Sequence, residues 1–587
     1  MRGRFGRTSP QPILATKFGV ARFVNVDLGP RYNIAPKQTV EAIIRDGAEK
    51  RMGLMRWGDG IVAPWPRRGD TAAHRLLALT ARCQRNPVCS RSPFAILELP
   101  PAFSSSRVVT SAHYDRLSAT DLVFLELEDA RISMHIGAVS IFEPGALVAA
   151  DGALDMERIS AFIGDALVNN ARFRQRLAYV PLLNHPVWID DDRFNLAYHL
   201  HHTRLPAPGD AAALRRLAGR LMSQQLDRGK PLWEMWFVEG LAGHRFALIS
   251  KFHHCMIDGI SGVDVLAALL RLDPSTDLPL PKRWRPRPAP PGTQLFVDEI
   301  KRRAALPLAA LGHAPQLLAH PLQAVESARH ALSDLLEAAT ANMSVASDTP
   351  LNPAVGPHRL FEWTCFALDH VKQIKNQLGG TVNDIVLTVV AGSLGHYLRQ
   401  RGVDTRGLDI RMTMPASLRS DAQRGTLGNR VGVLTIPLPV AESDPRRRLR
   451  SIIATTSRLK RSGQLRGVEL VAEFSDQVFP PLAGWMASLA ARTRMYNLSV
   501  TNIPGPQVPV YLLGARMLEL YPLAFLFSNQ ALTIAIFSYD GRLYWTLTAD
   551  RDALPDVHKI ITATEREFER LRTLAVTPGR RPKTAAR

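Results

Sequence analysis

Two adjacent histidines, His253 and His254, stand five and four residues ahead of Asp258, which Gly259 follows at once. What flanks them limits what the pattern can be. Upstream, residues 245–252 form a short apolar run with partial alternation, the mark of a buried strand. Downstream, Ile260, Val263, Leu266, Leu269 and Leu270 recur at helical spacing. The histidines therefore close a strand, and Asp258-Gly259 turns the chain into a helix, with Gly259 suited to a sharp bend. An imidazole titrates near neutrality, so it takes a proton from a hydroxyl and later returns one to a leaving group. His254 is the expected base. His253 and Asp258 are expected to support its geometry, Asp258 through a bond to imidazole or a pairing with arginine. Two merely structural histidines are the plain alternative. For one isolated histidine that reading would prevail; the complete pattern between a strand and an amphipathic helix points to chemistry. Cys255, inside the pattern, is a lesser candidate as a nucleophile.

Other segments carry readable local signals. Ser118 caps a short helix whose first turn holds Asp121. A strand is expected over residues 134–142, helices over 156–168 and 211–225, and a strand over 236–239 after Pro231-Leu232-Trp233. Later come a strand over 361–368, a helix over 369–378 ended by Gly379-Gly380, and a long helix opened by Asn383-Asp384. Those two residues suit helix capping and active-site shaping equally. Strands at 410–415 and 431–438, a hairpin about Asp540-Gly541 and a closing helix over 555–574 follow. Residues 294–347 are helical in pattern, interrupted at Pro307, Pro315 and Pro321. Strands and helices mix without a strict β-α-β rhythm, which favours an α/β chain with mixed sheets and helices on their faces.

The histidine pattern resembles the CoA-dependent acyltransferase superfamily of chloramphenicol acetyltransferase and peptide-synthetase condensation domains. Pro231-Leu232-Trp233-Glu234, Asn383-Asp384 within residues 381–387, and residues 497–506 (NLSVTNIPGP) resemble one branch, the bacterial wax ester synthase/diacylglycerol acyltransferases, in order and spacing. The resemblance runs from about Arg116 to about Leu574. It implies two chloramphenicol-acetyltransferase-like halves with the active site in a channel between them. It implies transfer of a long-chain acyl group from acyl-CoA to diacylglycerol or a long-chain alcohol, with His254 as base and no metal or covalent acyl-enzyme. Acyl-CoA is then a co-substrate and no cofactor is expected. Gly259, Asn383, Asp384, Pro231, Leu232 and Trp233 are the expected site-shaping residues.

The corresponding organisation has an acyltransferase half over 113–272, a Pro-rich linker and crossover helices over 273–347, a second half over 348–575 and a basic tail over 576–587. Residues 1–66 resemble a truncated SOS-response-associated peptidase: Arg31 to Pro36 and Gly53 to Gly58 match its opening, but Arg2 stands where that family has its crosslinking cysteine. This extension is expected to be disordered or a remnant, and residues 67–112, rich in Arg, Ser and Pro, to be a linker.

The net charge of +20 implies an anionic partner, whether nucleic acid, phospholipid or the phosphates of a CoA ester. Arg446 to Arg450 and Gly579 to Lys583 are candidate lipid contacts, with solvated faces as the alternative. Four scattered cysteines fit a reducing compartment. The most apolar run, residues 478–491, contains Pro480 and Pro481 and falls short of the roughly 20 residues a spanning helix requires. A cytoplasmic protein touching the inner membrane or lipid inclusions peripherally is therefore expected, without a nucleic-acid partner. His199, His201 and His202 lie close enough for a metal, but no carboxylate or cysteine is spaced to join them, and a strand face near the cleft is preferred. Two other functions remain: a condensation-type N-acyltransferase, which shares the histidines, and a non-catalytic DNA binder led by the basic N-terminal segment.

Overall fold

The computed structural model of the protein describes residues 22–23, 39–46, 49–56, 113–149, 151–168, 170–257, 269–278, 284–312, 345–417, 431–461 and 494–576. It forms two compact units, residues 1–110 with 419–426 and residues 111–418 with 427–587. In the first unit, β1 (Arg22–Phe23), β2 (Thr39–Asp46) and β3 (Glu49–Arg56) form a small sheet with β3 between the other two. Part of the 1–66 fragment thus takes strand backbone, whereas Cys83 and Cys89 lie outside the described residues.

The second unit begins with β4 (Tyr114–Arg116), α1 (Ala119–Leu127), β5 (His135–Phe142) and α2 (Met156–Val168). The Ser118 side chain accepts the Asp121 N–H at the start of α1, as the sequence predicts. The chain continues through β6 (Gln175–Tyr179), β7 (Pro186–Asp190), the one-turn α3 (Leu196–His199), β8 (Leu200–Arg204), α4 (Ala211–Ser223), β9 (Trp233–Glu239) and β10 (Phe246–His253). Helix α5 (Gly292–Gly312) crosses to β11 (Arg359–Ala367), α6 (Leu368–Leu378) and α7 (Val382–Gln400). Then come β12 (Ile410–Ser417), β13 (Val431–Leu438), α8 (Pro445–Arg461), β14 (Leu498–Pro504), β15 (Tyr511–Leu512), β16 (Ala515–Leu523), β17 (Leu532–Tyr539), β18 (Arg542–Asp550) and α9 (His558–Val576).

Two mixed six-stranded sheets carry the architecture, in the orders β15-β16-β5-β10-β9-β8 and β11-β18-β17-β14-β12-β13. Strand β10 is buried along its whole length because β5 and β9 flank it antiparallel and side chains cover both faces. Gly137 makes the first of these pairings possible: a Cβ there would collide with the Ser250 carbonyl of β10. The sheets do not follow chain order. Strands β15 and β16, late in the sequence, complete the first sheet by pairing β16 with β5. Each sheet has its own apolar core; Phe361 and Trp363 of β11 pack into the first, and α7, buried on all faces, runs through the second.

One expectation is corrected. Helix α5 continues through Pro307 to Gly312: a proline removes one i→i−4 hydrogen bond without necessarily ending a helix. Pro315 and Pro321 fall outside the described residues. In the linker, Arg287 and Trp284 dock on the first half. Arg287 makes three hydrogen bonds to Asp190, and the Arg174 guanidinium lies 4.7 Å above the Trp284 ring. The Arg446–Arg450 stretch opens α8, with Arg446, Arg447 and Arg450 exposed. Arg448 and Leu449 are buried, and Arg448 pairs with Glu567 of α9 at 2.7 Å. A helix face repeating every three to four residues turns one arginine of such a run inward.

Candidate active site

The end of β10 is held from both sides. His253 donates its main-chain N–H to the Leu232 carbonyl at 3.0 Å, and His254 donates to the Met134 carbonyl at 2.8 Å. The predicted motif Pro231-Leu232-Trp233 is thus the brace on one side. Trp233 is fully buried, donates its indole N–H to the Phe173 carbonyl at 2.8 Å and stacks on His199 with centroids 4.5 Å apart. After His253 the backbone leaves the sheet in a single tight turn, His254–Ile257.

That turn carries the His254 ring to a half-buried position between aromatic groups from both halves. Phe124 of α1 lies 3.9 Å away, centroid to centroid, and Phe525, between β16 and β17, meets it edge-on at 5.4 Å. Phe525 in turn contacts Phe527 at 5.0 Å. Burial pushes the His254 imidazole down to about 4, and the neighbouring His253 lowers it further. The ring is therefore neutral at physiological pH, the form that accepts a proton.

His253 faces away from these rings into a buried polar cluster that the sequence did not announce. Glu128, just past the end of α1, brings Oε1 within 3.5 Å of His253 Nε2 and 3.3 Å of His135 Nε2. The Met134 N–H donates to the same oxygen at 3.3 Å, and Arg228 bonds Oε2 through Nε at 3.2 Å and Nη2 at 2.9 Å. Burial opposes the carboxylate's charge, but the two imidazoles outweigh it and hold Glu128 well below the usual range. Burial also drives His135 down to about 4. Lys251, fully buried one strand pitch back, donates to the Gln224 carbonyl at 2.6 Å; desolvation lowers its pKa, while Glu234 and Glu128 act in the opposite sense. Glu128 is 125 residues upstream of His253 in a stretch with no distinguishing signal beyond the cap at Ser118.

Cys255 does not fit the nucleophile role. It is buried, and desolvation raises its thiol well above the ordinary value, so it stays protonated. Asp258 and Gly259 lie outside the described residues.

The second motif region divides its two residues. Thr381 and Asp384 form a capping box: Asp384 accepts the Thr381 N–H at 2.7 Å and donates its own N–H to the Thr381 hydroxyl at 3.2 Å. Thr456 of α8 donates to the other carboxylate oxygen at 2.7 Å. Asp384 is thus a helix cap and a tether to α8. Asn383 instead accepts a hydrogen bond at 2.6 Å from Asn502, within the NLSVTNIPGP stretch, so the structure joins two sequence motifs. The three clustered histidines disperse. His199 stacks on Trp233, His201 stacks on Trp236 at 4.1 Å, and His202 contacts Glu239 at 2.7 Å. Among the described residues no three His, Cys, Asp or Glu side chains are placed to share a metal ion.

Comparison with known proteins decides the family. Residues 117–386 match the wax ester synthase/diacylglycerol acyltransferase catalytic domain, and residues 427–572 match the corresponding C-terminal domain. A diacylglycerol O-acyltransferase of Mycobacterium tuberculosis is 30% identical over 468 residues, 78% of this chain and 96% of that protein. The chain belongs to the wax ester synthase/diacylglycerol acyltransferase family. It is an acyltransferase. A diacylglycerol O-acyltransferase of Mycobacterium bovis is 31% identical over 469 residues, covering 78% of this chain and 98% of the relative. The solved wax ester synthase/diacylglycerol acyltransferase of Marinobacter aquaeolei shares the fold, with a TM-score of 0.54 at 23% identity, over 78% of this chain and 99% of that one.

Proposed function

We propose that this acyltransferase moves a long-chain acyl group from acyl-CoA to the hydroxyl of diacylglycerol or a long-chain alcohol, with His254 as general base. The observation that carries the reading is the His254 ring itself: neutral, braced at a strand end and half-buried among Phe124 and Phe525 from the two halves. His254 takes the hydroxyl proton as the oxygen attacks the thioester carbonyl. The tetrahedral intermediate collapses, the C–S bond breaks, and the CoA thiolate leaves with the proton that His254 returns. The aromatic walls exclude water that would otherwise compete for the thioester. The relatives from Mycobacterium and Marinobacter, named for diacylglycerol and wax ester chemistry, support the choice of acceptor.

Such acceptors reside in lipid, so the reading includes peripheral contact with the cytoplasmic face of the inner membrane or with lipid inclusions. Among the described residues no single helix is long and apolar enough to cross a membrane.

The test is thiol release from palmitoyl-CoA by purified protein, with hexadecanol, dioleoylglycerol or a long-chain amine as acceptor. Release should require an alcohol, and His254→Ala should lower kcat by about 10²–10⁴-fold with an unchanged thermal melt. Wild-type turnover in His254→Ala would remove the base assignment. Release driven by the amine and not by either alcohol would replace the function with a condensation-type N-acyl transfer.

A further inference from the structure

The buried acid beneath the histidine pair takes no part in the transfer steps above, yet a continuous run of contacts leads from it to the base. Arg228 occupies Oε2 of Glu128, the Met134 N–H bonds Oε1, and Nε2 of His135 and of His253 lie 3.3 and 3.5 Å from that oxygen. On the far side of the His253 ring, Nδ1 accepts the Cys255 N–H at 3.2 Å. A ring nitrogen that accepts a main-chain N–H carries no proton, so Nε2, toward the carboxylate, is the protonated one. The Cys255 N–H belongs to the same planar peptide unit as the His254 carbonyl. The His253 ring therefore grips the plane in which that carbonyl lies.

The His254 ring follows in the same turn, with its Nδ1 buried and without a hydrogen-bond partner. Helix α1 and the residue that follows it serve both histidines, Phe124 against His254 and Glu128 beside His253.

We propose that Glu128 is a positioning residue for His254, acting through the His253 ring and the His254–Cys255 peptide to hold the turn that presents the base. The first histidine of the pair is then a working link between an acid and a peptide plane rather than a spare. This inference rests on the reading of His254 as base.

The experiment is a double-mutant cycle on the full chain, with palmitoyl-CoA and the better alcohol as substrates. Glu128→Gln should lower kcat by about 10–100-fold, the scale of outer partners of functional histidines, with KM for both substrates nearly unchanged. Glu128→Asp, which keeps the charge, should recover part of that loss. His253→Ala should cost a similar factor, and the double variant no more than the worse single variant, because both substitutions cut one route. Losses that multiply in the double variant, or a wild-type kcat in Glu128→Gln, would overturn the proposal. If Glu128→Gln has no cooperative melt, Glu128→Asp with His253→Ala closes the same cycle under the same criterion. Wild-type turnover in His254→Ala would instead overturn the parent reading, and this one with it.

Discussion

Strand β10 lies between β5 and β9 in the first sheet, and β14 lies between β12 and β17 in the second. Both carry a motif, but of different chemistry. At the end of β10 the buried groups are titratable: Lys251, His253, His135 and Glu128 lie close together out of water. Along β14 they are neutral amides. Buried Asn497 donates to the Ser347 carbonyl at 2.8 Å and to Asn352 at 2.7 Å, and it accepts the Arg411 N–H at 2.8 Å; Asn502 reaches Asn383. An amide makes the same hydrogen bonds at any ordinary pH, whereas an imidazole changes role with one proton. The two sheets share an architecture, and the proposed proton transfer belongs to the one whose central strand ends in groups able to exchange a proton. The other half adds Phe525 to the wall of the ring and holds a fixed frame.

The largest expected effect falls on the brace of β10. Trp233→Ala should cost about 3–5 kcal/mol by removing a buried indole and its stack, read as a lower denaturation midpoint. A loss below about 1 kcal/mol would mean that the end of β10 does not depend on this support. Acid should then separate the halves. Between pH 6.5 and about 4 the unfolded chain binds protons at His135 and His254 that the folded chain refuses. Stability is therefore whole above pH 6.5 and falls as pH drops, by up to about 1.4 kcal/mol per pH unit for each group. This contribution levels off below about 4. Hydrogen exchange at pH 5 should show the end of β10 losing protection while β14 keeps it; equal loss in both would erase the contrast. The smallest effects lie at the start of α7. Asp384→Ala should cost about 1–2 kcal/mol as a lost cap, and exposed Asn383→Ala less than about 0.5 kcal/mol, both by chemical denaturation. A drop in kcat for Asn383→Ala with stability intact would give the amide side of the molecule a part in the reaction.

Much of this was legible because it is local. A strand closing in two histidines, a serine cap, glycines ending α6 and a turn at Asp540-Gly541 all depend on residues within a few positions, and the structure has each of them. What resisted reading was pairing at a distance. Residues 515–523 carry ordinary strand character, and nothing in them says that their partner is β5 and not a neighbour in sequence. Glu128 looks like any acid after a helix until the fold sets it against His253 and His135. The Asn383–Asn502 contact explains why two separate motifs accompany the histidines, yet neither contains the other's address.

The late arrival of β16 bears on how the protein is made. Its residue Arg516 donates its main-chain N–H to Glu143, 373 residues away in sequence. At about 5–20 residues per second, a ribosome that has finished β5 needs roughly 20 to 75 seconds to supply the strand that covers its open edge. Throughout that interval the sheet bearing the histidines has an unpaired rim, the kind of surface that chaperones shield and that aggregates recruit. A truncation ending before β16 would make that interval permanent and leave the edge of β5 open.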